Sequence, residues 1–335
     1  DHGEHYITRD KKEYWAMFYS AAGGGVLIAL MALFKTYLGS IIDDKVWKGL
    51  AEGLNYGFGF MVIFMLHFTV ATKQPAMTAA RFAEAVEKNP QGKTLNMKLA
   101  QLLVDVFRSQ SVAVLGNVVV AMGLAALIAF VYQHQTGEPL MNSEKIAYQL
   151  HRIDPLDGSL WFAAIAGVWL FCSGIISGYF DNRSNYLNMR MRLAQHPLLK
   201  KLMSEKSRVK FANYMHENYG SLIGNFCFGM LLGLTGLVGY LTHLPLDIRH
   251  VAFSSANLGY SAVSGQFAYP FFLQCIAFVL LIGLVNLMVS FSLTLWVALR
   301  SLNTEIDSWW AIWHEVCQIV RKRPLSLFLP VQLDK

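Results

Sequence analysis

The chain has 335 residues, of which 54% are hydrophobic and 15% charged, with a formal net charge of +6 and a mean hydropathy of +0.37. Soluble domains carry about 25% charged residues, so this balance excludes a wholly water-exposed fold and makes a bilayer the natural solvent. Cys172, Cys227, Cys275 and Cys317 show no CxxC spacing, which excludes a disulfide framework and a zinc site of the usual pattern.

The chain opens on Asp1, and no signal-peptide pattern precedes the first apolar stretch, so it reads as part of a longer protein. Residues 1–15 form a polar N-terminal segment with three Lys or Arg residues. Stretches of about 20 apolar residues suffice to cross a bilayer. They occur at Ala16 to Leu38, Leu54 to Ala71, Ser111 to Tyr132, Ser159 to Phe180, Tyr219 to Leu241 and Pro270 to Leu299. The expected fold is therefore all-α, a polytopic bundle of six transmembrane helices over residues 16–299, with amphipathic cytoplasmic helices.

Lys and Arg gather in cytoplasmic segments. The N-terminal segment, the 72–110 and 181–218 loops and the 300–335 segment hold 22 of the 28, and the other three connections, with Lys35 at the outer end of the first span, hold 6. Both termini are thus expected in the cytoplasm. Pro75 to Glu87 and Thr94 to Arg108 show helical apolar spacing in the first inner loop. "HPLLKKLM" and "SRVKFANYM" repeat that plan in the second. Such basic amphipathic helices lie against headgroups. In the 300–335 segment Trp309, Trp310 and Trp313 precede Arg321, Lys322 and Arg323, an interfacial anchor.

Three odd-numbered spans open on related phrases, "SAAGGG" at Ser20, "SVAVLGN" at Ser111 and "SLIGN" at Ser221, which suggests three hairpins related by a degenerate repeat. Gly174 with Gly178, Gly220 with Gly224 and Gly229 with Gly233 have the spacing of close helix packing. Asp and Glu are absent from all six spans, which weakens proton coupling. His67, Asn117 and Asn225 are the polar candidates within them, for interhelical hydrogen bonds or a ligand site. His67, Lys73, Gln74, Asp181 and Asn182 are expected to form a cytoplasmic-side polar cluster where the second and fourth spans end. Between Tyr219 and Leu299 the only charged residues are Asp247 and Arg249. Asp247 is expected to cap a short re-entrant helix beginning at Ile248, an outer plug, with Arg249 turned to another partner because helical positions i and i+2 do not face each other.

"AAGGG" at Ala21, "LHFTVATKQPAMTA" from Leu66, "SGYFDN" from Ser177, "LPLDIRHV" from Leu244 and "VSFSL" from Val289 resemble the bacterial membrane-protein family labelled site-specific recombinase (Gcr-like). The resemblance covers nearly the whole chain and implies a Gram-negative source and a further helical region upstream. Recombinase chemistry needs a Tyr or Ser nucleophile among phosphate-clamping Arg residues. None of the ten His residues is followed by Arg three positions on, so an HxxR pair is missing. No catalytic residue, metal or cofactor is expected. Membrane lipids are the expected partners, a protein partner or second copy is left open, and nucleic acid is not expected. The expected role is a membrane scaffold or binding protein, with a channel, transporter or lipid-handling protein as the alternative.

Overall fold

The computed structural model describes residues 7–8, 10–73, 75–88 and 92–329, and all regular structure among them is helical. In order these are α1 (Lys11–Ile41), α2 (Lys45–Met65), α3 (Pro75–Lys88), α4 (Lys93–Thr136), α5 (Ser143–Ile153), α6 (Ser159–Tyr186), α7 (Met189–Ala194), α8 (Pro197–Leu202), α9 (Glu205–Thr242), α10 (Val251–Ser264), α11 (Tyr269–Ser301) and α12 (Trp309–Lys322). Side-chain caps set several starts: the carboxylates of Asp10 and Asp44 accept from the first free amides of α1 and α2, and the Ser204 hydroxyl does so for α9.

Among the described residues five helices, α1, α4, α6, α9 and α11, are long and apolar enough to cross a membrane, not the six expected. The second expected span, 54–71, leaves the helix at Met65. Val70 and Ala71 are apolar because they are buried in a loop rather than because they face lipid. Helix α2 instead reaches back through Lys45, Lys48 and Glu52, so its first half is polar. The segments Thr94 to Arg108 and Ser111 to Tyr132 are one continuous helix, since no Gly or Pro breaks the run between them. "SRVKFANYM" is likewise the start of α9. In α11 only 28% of the most apolar window is buried, leaving a broad apolar face uncovered by protein, as lipid contact would require.

Packing follows the glycines. Helices α2 and α9 run antiparallel, with Gly53 against Gly233 and Gly57 against Gly229 at backbone contact. Gly220 and Gly224 of α9 meet Ser177 of α6. The expected small-residue faces of α9 therefore serve two neighbours within one chain. Gly24 and Gly25 of α1 accommodate the Thr69 carbonyl and the backbone of α4. At the centre lies α10, nearly all of it buried between α4, α1 and α11.

The chain divides into two units of the same plan rather than three hairpins. In the first, α1 packs on α2 and α4, and an irregular segment follows α2 before the short α3. In the second, α6 packs on α9 and α11, and an irregular segment follows α9 before the short α10. Both second helices end on a histidine in the left-handed region, His67 at φ 59° and His243 at φ 56°. Contacts between units are reciprocal, α10 on α4 and α3 on α11, while α2 and α9 pair with each other. Since α1 starts at one end of the bundle and α6 at the other, the units have opposite directions. We call the end where α1 begins proximal.

Candidate functional site

The three related phrases converge on the segment after α2. Ser20 Oγ donates to the His67 carbonyl at 3.0 Å and shares a hydrogen bond of 2.8 Å with Thr69 Oγ1. Asn117 accepts from Ala71 N at 2.6 Å and donates to the carbonyls of Thr69 at 2.9 Å and Ala21 at 2.6 Å. Asn225 Oδ1 accepts from Lys73 Nζ. An irregular backbone at that depth has peptide groups that helix geometry no longer satisfies, and these side chains supply the partners.

The second unit repeats the device. Asn286 of α11 accepts from Val251 N at 3.1 Å and donates to the carbonyls of Arg249 at 2.9 Å and Ala163 at 2.8 Å. Each asparagine thus joins an N–H to a carbonyl two residues earlier, plus a carbonyl on the first helix of its own unit. The short helix begins at the clamped amide in the second unit and four residues later in the first.

The two segments meet through His250. Its Nδ1 accepts from Ala252 N at 3.3 Å, capping α10, and its Nε2 lies 3.2 Å from Thr72 Oγ1. The Thr72 hydroxyl donates to the Ala71 carbonyl at 2.6 Å, so the network assigns the proton of a neutral imidazole to Nε2. Asp247, expected to cap a short helix from Ile248, does not do so, because α10 begins at Val251 and His250 caps it. Asp247 stands in non-helical backbone, where positions i and i+2 can meet, and accepts from Arg249 at 2.6 Å and from Arg152 at 3.0 Å. Arg249 also donates to the Arg152 carbonyl at 2.7 Å and lies over the Phe162 ring. Burial disfavours the charge on Asp247, yet Arg152 and Arg249 outweigh it and hold its carboxyl at about 2. This cluster closes the distal end. Beneath it a void of about 20 Å³ touches Lys35, Tyr56, Arg152 and His250.

The proximal end is open. A cavity of about 1470 Å³ runs between α1, α3, α6, α9 and α11. Its mouth carries Glu13, Arg190, His216 and Glu217, and its depth Lys73, Asn225 and Ser173. Lys73 Nζ stands 6.0 Å from the Phe228 ring centre, and among the described residues no carboxylate pairs with it.

Of the sequence candidates, His67, Lys73, Asp181 and Asn225 line this one cavity. Asn182 is exposed on α6 and is not part of the lining, and Gln74 lies outside the described residues. Asn117 holds backbone behind the cavity, and Asp247 with Arg249 lies at the opposite end. Sequence reading missed Lys35, Thr72, Arg152, His250 and Asn286. Lys35 is a charge inside an apolar span, a signal the sequence does carry. The others gain their roles only from residues about 100 or more positions away, except Asn286, whose partners include the nearer Arg249.

A family model described as Site-specific recombinase matches residues 1–330. No curated protein and no solved structure matches the chain.

Proposed function

This chain belongs to the site-specific recombinase family, and we propose that its described part acts as a membrane carrier rather than on DNA. The observation that carries the reading is the cavity of about 1470 Å³ that ends on Lys73 and Asn225, facing a closed distal end. Two units of opposite direction, each with a broken segment near the middle, fit the architecture in which one unit rocks against the other to expose a central site to either side. The Lys and Arg distribution supports a cytoplasmic proximal end. A scaffold gives no reason for a cavity of this size with Lys73 and Asn225 at its depth. DNA strand exchange draws no support from the residues, since the sequence has no HxxR pair and a duplex does not enter between lipid-facing helices.

Thiol accessibility tests this. In a chain whose four cysteines are replaced by alanine, Ser221→Cys on the cavity wall should react quickly with an impermeant maleimide from the cytoplasmic side and slowly from the outside. Asp247→Asn weakens the distal closure, and outside labelling should then rise about tenfold, a population shift of about 1.4 kcal/mol. Absence of outside labelling in both proteins would reject a carrier.

A further inference from the structure

Helix α2 is shorter than its neighbours, and this opens the side of the cavity. Thr69 N bonds the Ser20 carbonyl at 3.1 Å, so the chain leaves α2 at the level of Ser20. Below that level α1 continues for the nine residues Lys11 to Tyr19, about 13 Å at 1.5 Å each. Helix α9 likewise extends proximally of Asn225. Helix α3, the next element in the chain, packs on α11, α4 and α6 instead of filling the gap between α1 and α9. Residues of both facing walls, Glu13, Met17 and Ser20 on α1 and Glu217, Ser221 and Asn225 on α9, line the cavity.

The edges of this gap suit an interface between water and hydrocarbon. Met65, Leu66 and Phe68 hang over it from the end of α2, exposed to 49%, 50% and 36%. Away from the lining face of α1, Trp15 and Tyr19 are also exposed, residue types that collect at headgroup level. Inside, the deep end offers Lys73 to an anion, while Glu13, Asp181 and Glu217 also line the cavity. Lys73 has an amide as its described hydrogen-bond partner; burial pushes its amine down to about 7, and an anion beside it would restore the ammonium with its three donors. Ser221 stands one turn from Asn225, and Ser177 Oγ lies against Gly224. The hydroxyls of Ser177 and Ser221 line the cavity without a hydrogen bond among the described residues. A cation with spare donors, backed by two free hydroxyls and reached through an apolar-edged side opening, matches a phosphate joined to acyl chains.

We infer that the cavity admits the phosphate headgroup of a membrane lipid sideways between α1 and α9, with Lys73 binding the phosphate and the acyl chains remaining outside below the end of α2. This rests on the carrier reading of the same cavity and names its cargo class. The full chain in neutral detergent is titrated with dihexanoyl phosphatidic acid, inorganic phosphate and dihexanoylglycerol, with the melting midpoint as readout. The phosphatidic acid should raise the midpoint saturably, and the other two should not at the same concentrations. Lys73→Gln should weaken that response about tenfold or more, the loss of a charge-assisted contact, and Lys73→Arg should retain most of it. Asn182→Ala, on the exposed face of α6, serves as the folding and handling control. An equal response to inorganic phosphate would overturn lateral lipid entry. An equal response to the uncharged glycerolipid, or an unchanged response in folded Lys73→Gln, would overturn the headgroup site. Ser221→Cys labelling separates the two claims: a saturable, Lys73-dependent response with labelling from one side only sustains the headgroup site and rejects the carrier.

Discussion

His250 and Thr72, 178 positions apart, share a hydrogen bond of 3.2 Å at the centre of the bundle, and it is the direct side-chain link between the irregular segments of the two units. His250 also caps α10. His250→Ala should lose both functions and cost about 2–3 kcal/mol, from a cap of about 1 and a buried hydrogen bond of about 1 plus lost packing. His250→Asn keeps a capping oxygen but is too short for Thr72, and should cost about 1 kcal/mol. Reversible unfolding in mixed detergents measures both. Equal losses would mean that the inter-unit bond contributes nothing to stability.

Asn117 and Asn286 are each buried and each hold an amide and two carbonyls. Aspartate has nearly the same shape but no N–H to give, and sets a carboxylate against two carbonyl oxygens. Asn117→Asp and Asn286→Asp should each destabilise by about 3 kcal/mol or more. Asn182→Asp, on an exposed position, should stay within about 0.5 kcal/mol. A mild effect at one asparagine and a severe effect at the other would argue against the equivalence of the two units.

Much of this was legible in the sequence, and the parts that were not share a physical cause. Hydropathy located the helices α1, α4, α6, α9 and α11 because a lipid-facing helix must be apolar along its length. It misplaced the end of α2 because Val70 and Ala71 are equally apolar when buried in a loop. The phrases around Ser20, Asn117 and Asn225 were recognised as alike, but their likeness comes from gripping one segment, 66–73, and not from a hairpin repeat. The repeat that does exist lies in element order and in hydrogen bonds such as those of Asn286, which no run of residues displays. Asp247 and Arg249 stood out by charge alone, while their conformation depended on Arg152, a residue on a distant helix.

Reporter fusions test the assignment of sides. Those after Lys45 and Glu138 should register outside, and one after Lys201 inside, as the distribution of Lys and Arg requires. Asn257, which sequence placed in an outer loop, sits within α10, so a fusion there interrupts the core and should lower protein yield. An outside signal at Lys201 would invert the carrier scheme, because the open end would then face outward.

Acid should loosen the distal closure before neutral pH does anything to it. Asp247 titrates at about 2 in the fold against 3.8 when unperturbed. A carboxyl with a lowered folded value contributes stability that is complete above its unfolded value and lost as pH falls toward the folded one. The window is therefore from about 4 down to about 2. Wild-type melting should be flat with respect to this group from pH 5 to 8 and fall below pH 4, while Asp247→Asn should melt lower at pH 7 and lack that part of the acid loss. An identical acid profile in the two proteins would assign the loss to other carboxylates.

The seam between α2 and α9 leads to the strongest prediction about folding. Gly229 lies against the backbone of Tyr56 and Gly57, and Gly233 against that of Gly53 and Glu52, so there is no space at either position for a side chain. The seam is central because α2 has few other partners: its contacts are with α9 and, more sparsely, α1. Its polar first half also makes it a weak independent span. Small residues permit this approach, and packing rather than hydrophobic transfer holds such helices together in lipid. Gly229→Val should therefore push α2 away from α9, a shift that backbone on the opposite side cannot absorb by a rotamer change, and cost about 3 kcal/mol or more. Gly178, with open space around its Cα, provides the contrast. Gly178→Val should remain within about 1 kcal/mol, the ordinary cost of exchanging a helical residue. Cross-linking of Phe58→Cys with Phe226→Cys, whose rings lie 5.2 Å apart across the seam, in a chain otherwise free of cysteine would report the seam directly, and failure to cross-link with a short bifunctional thiol reagent would refute this pairing.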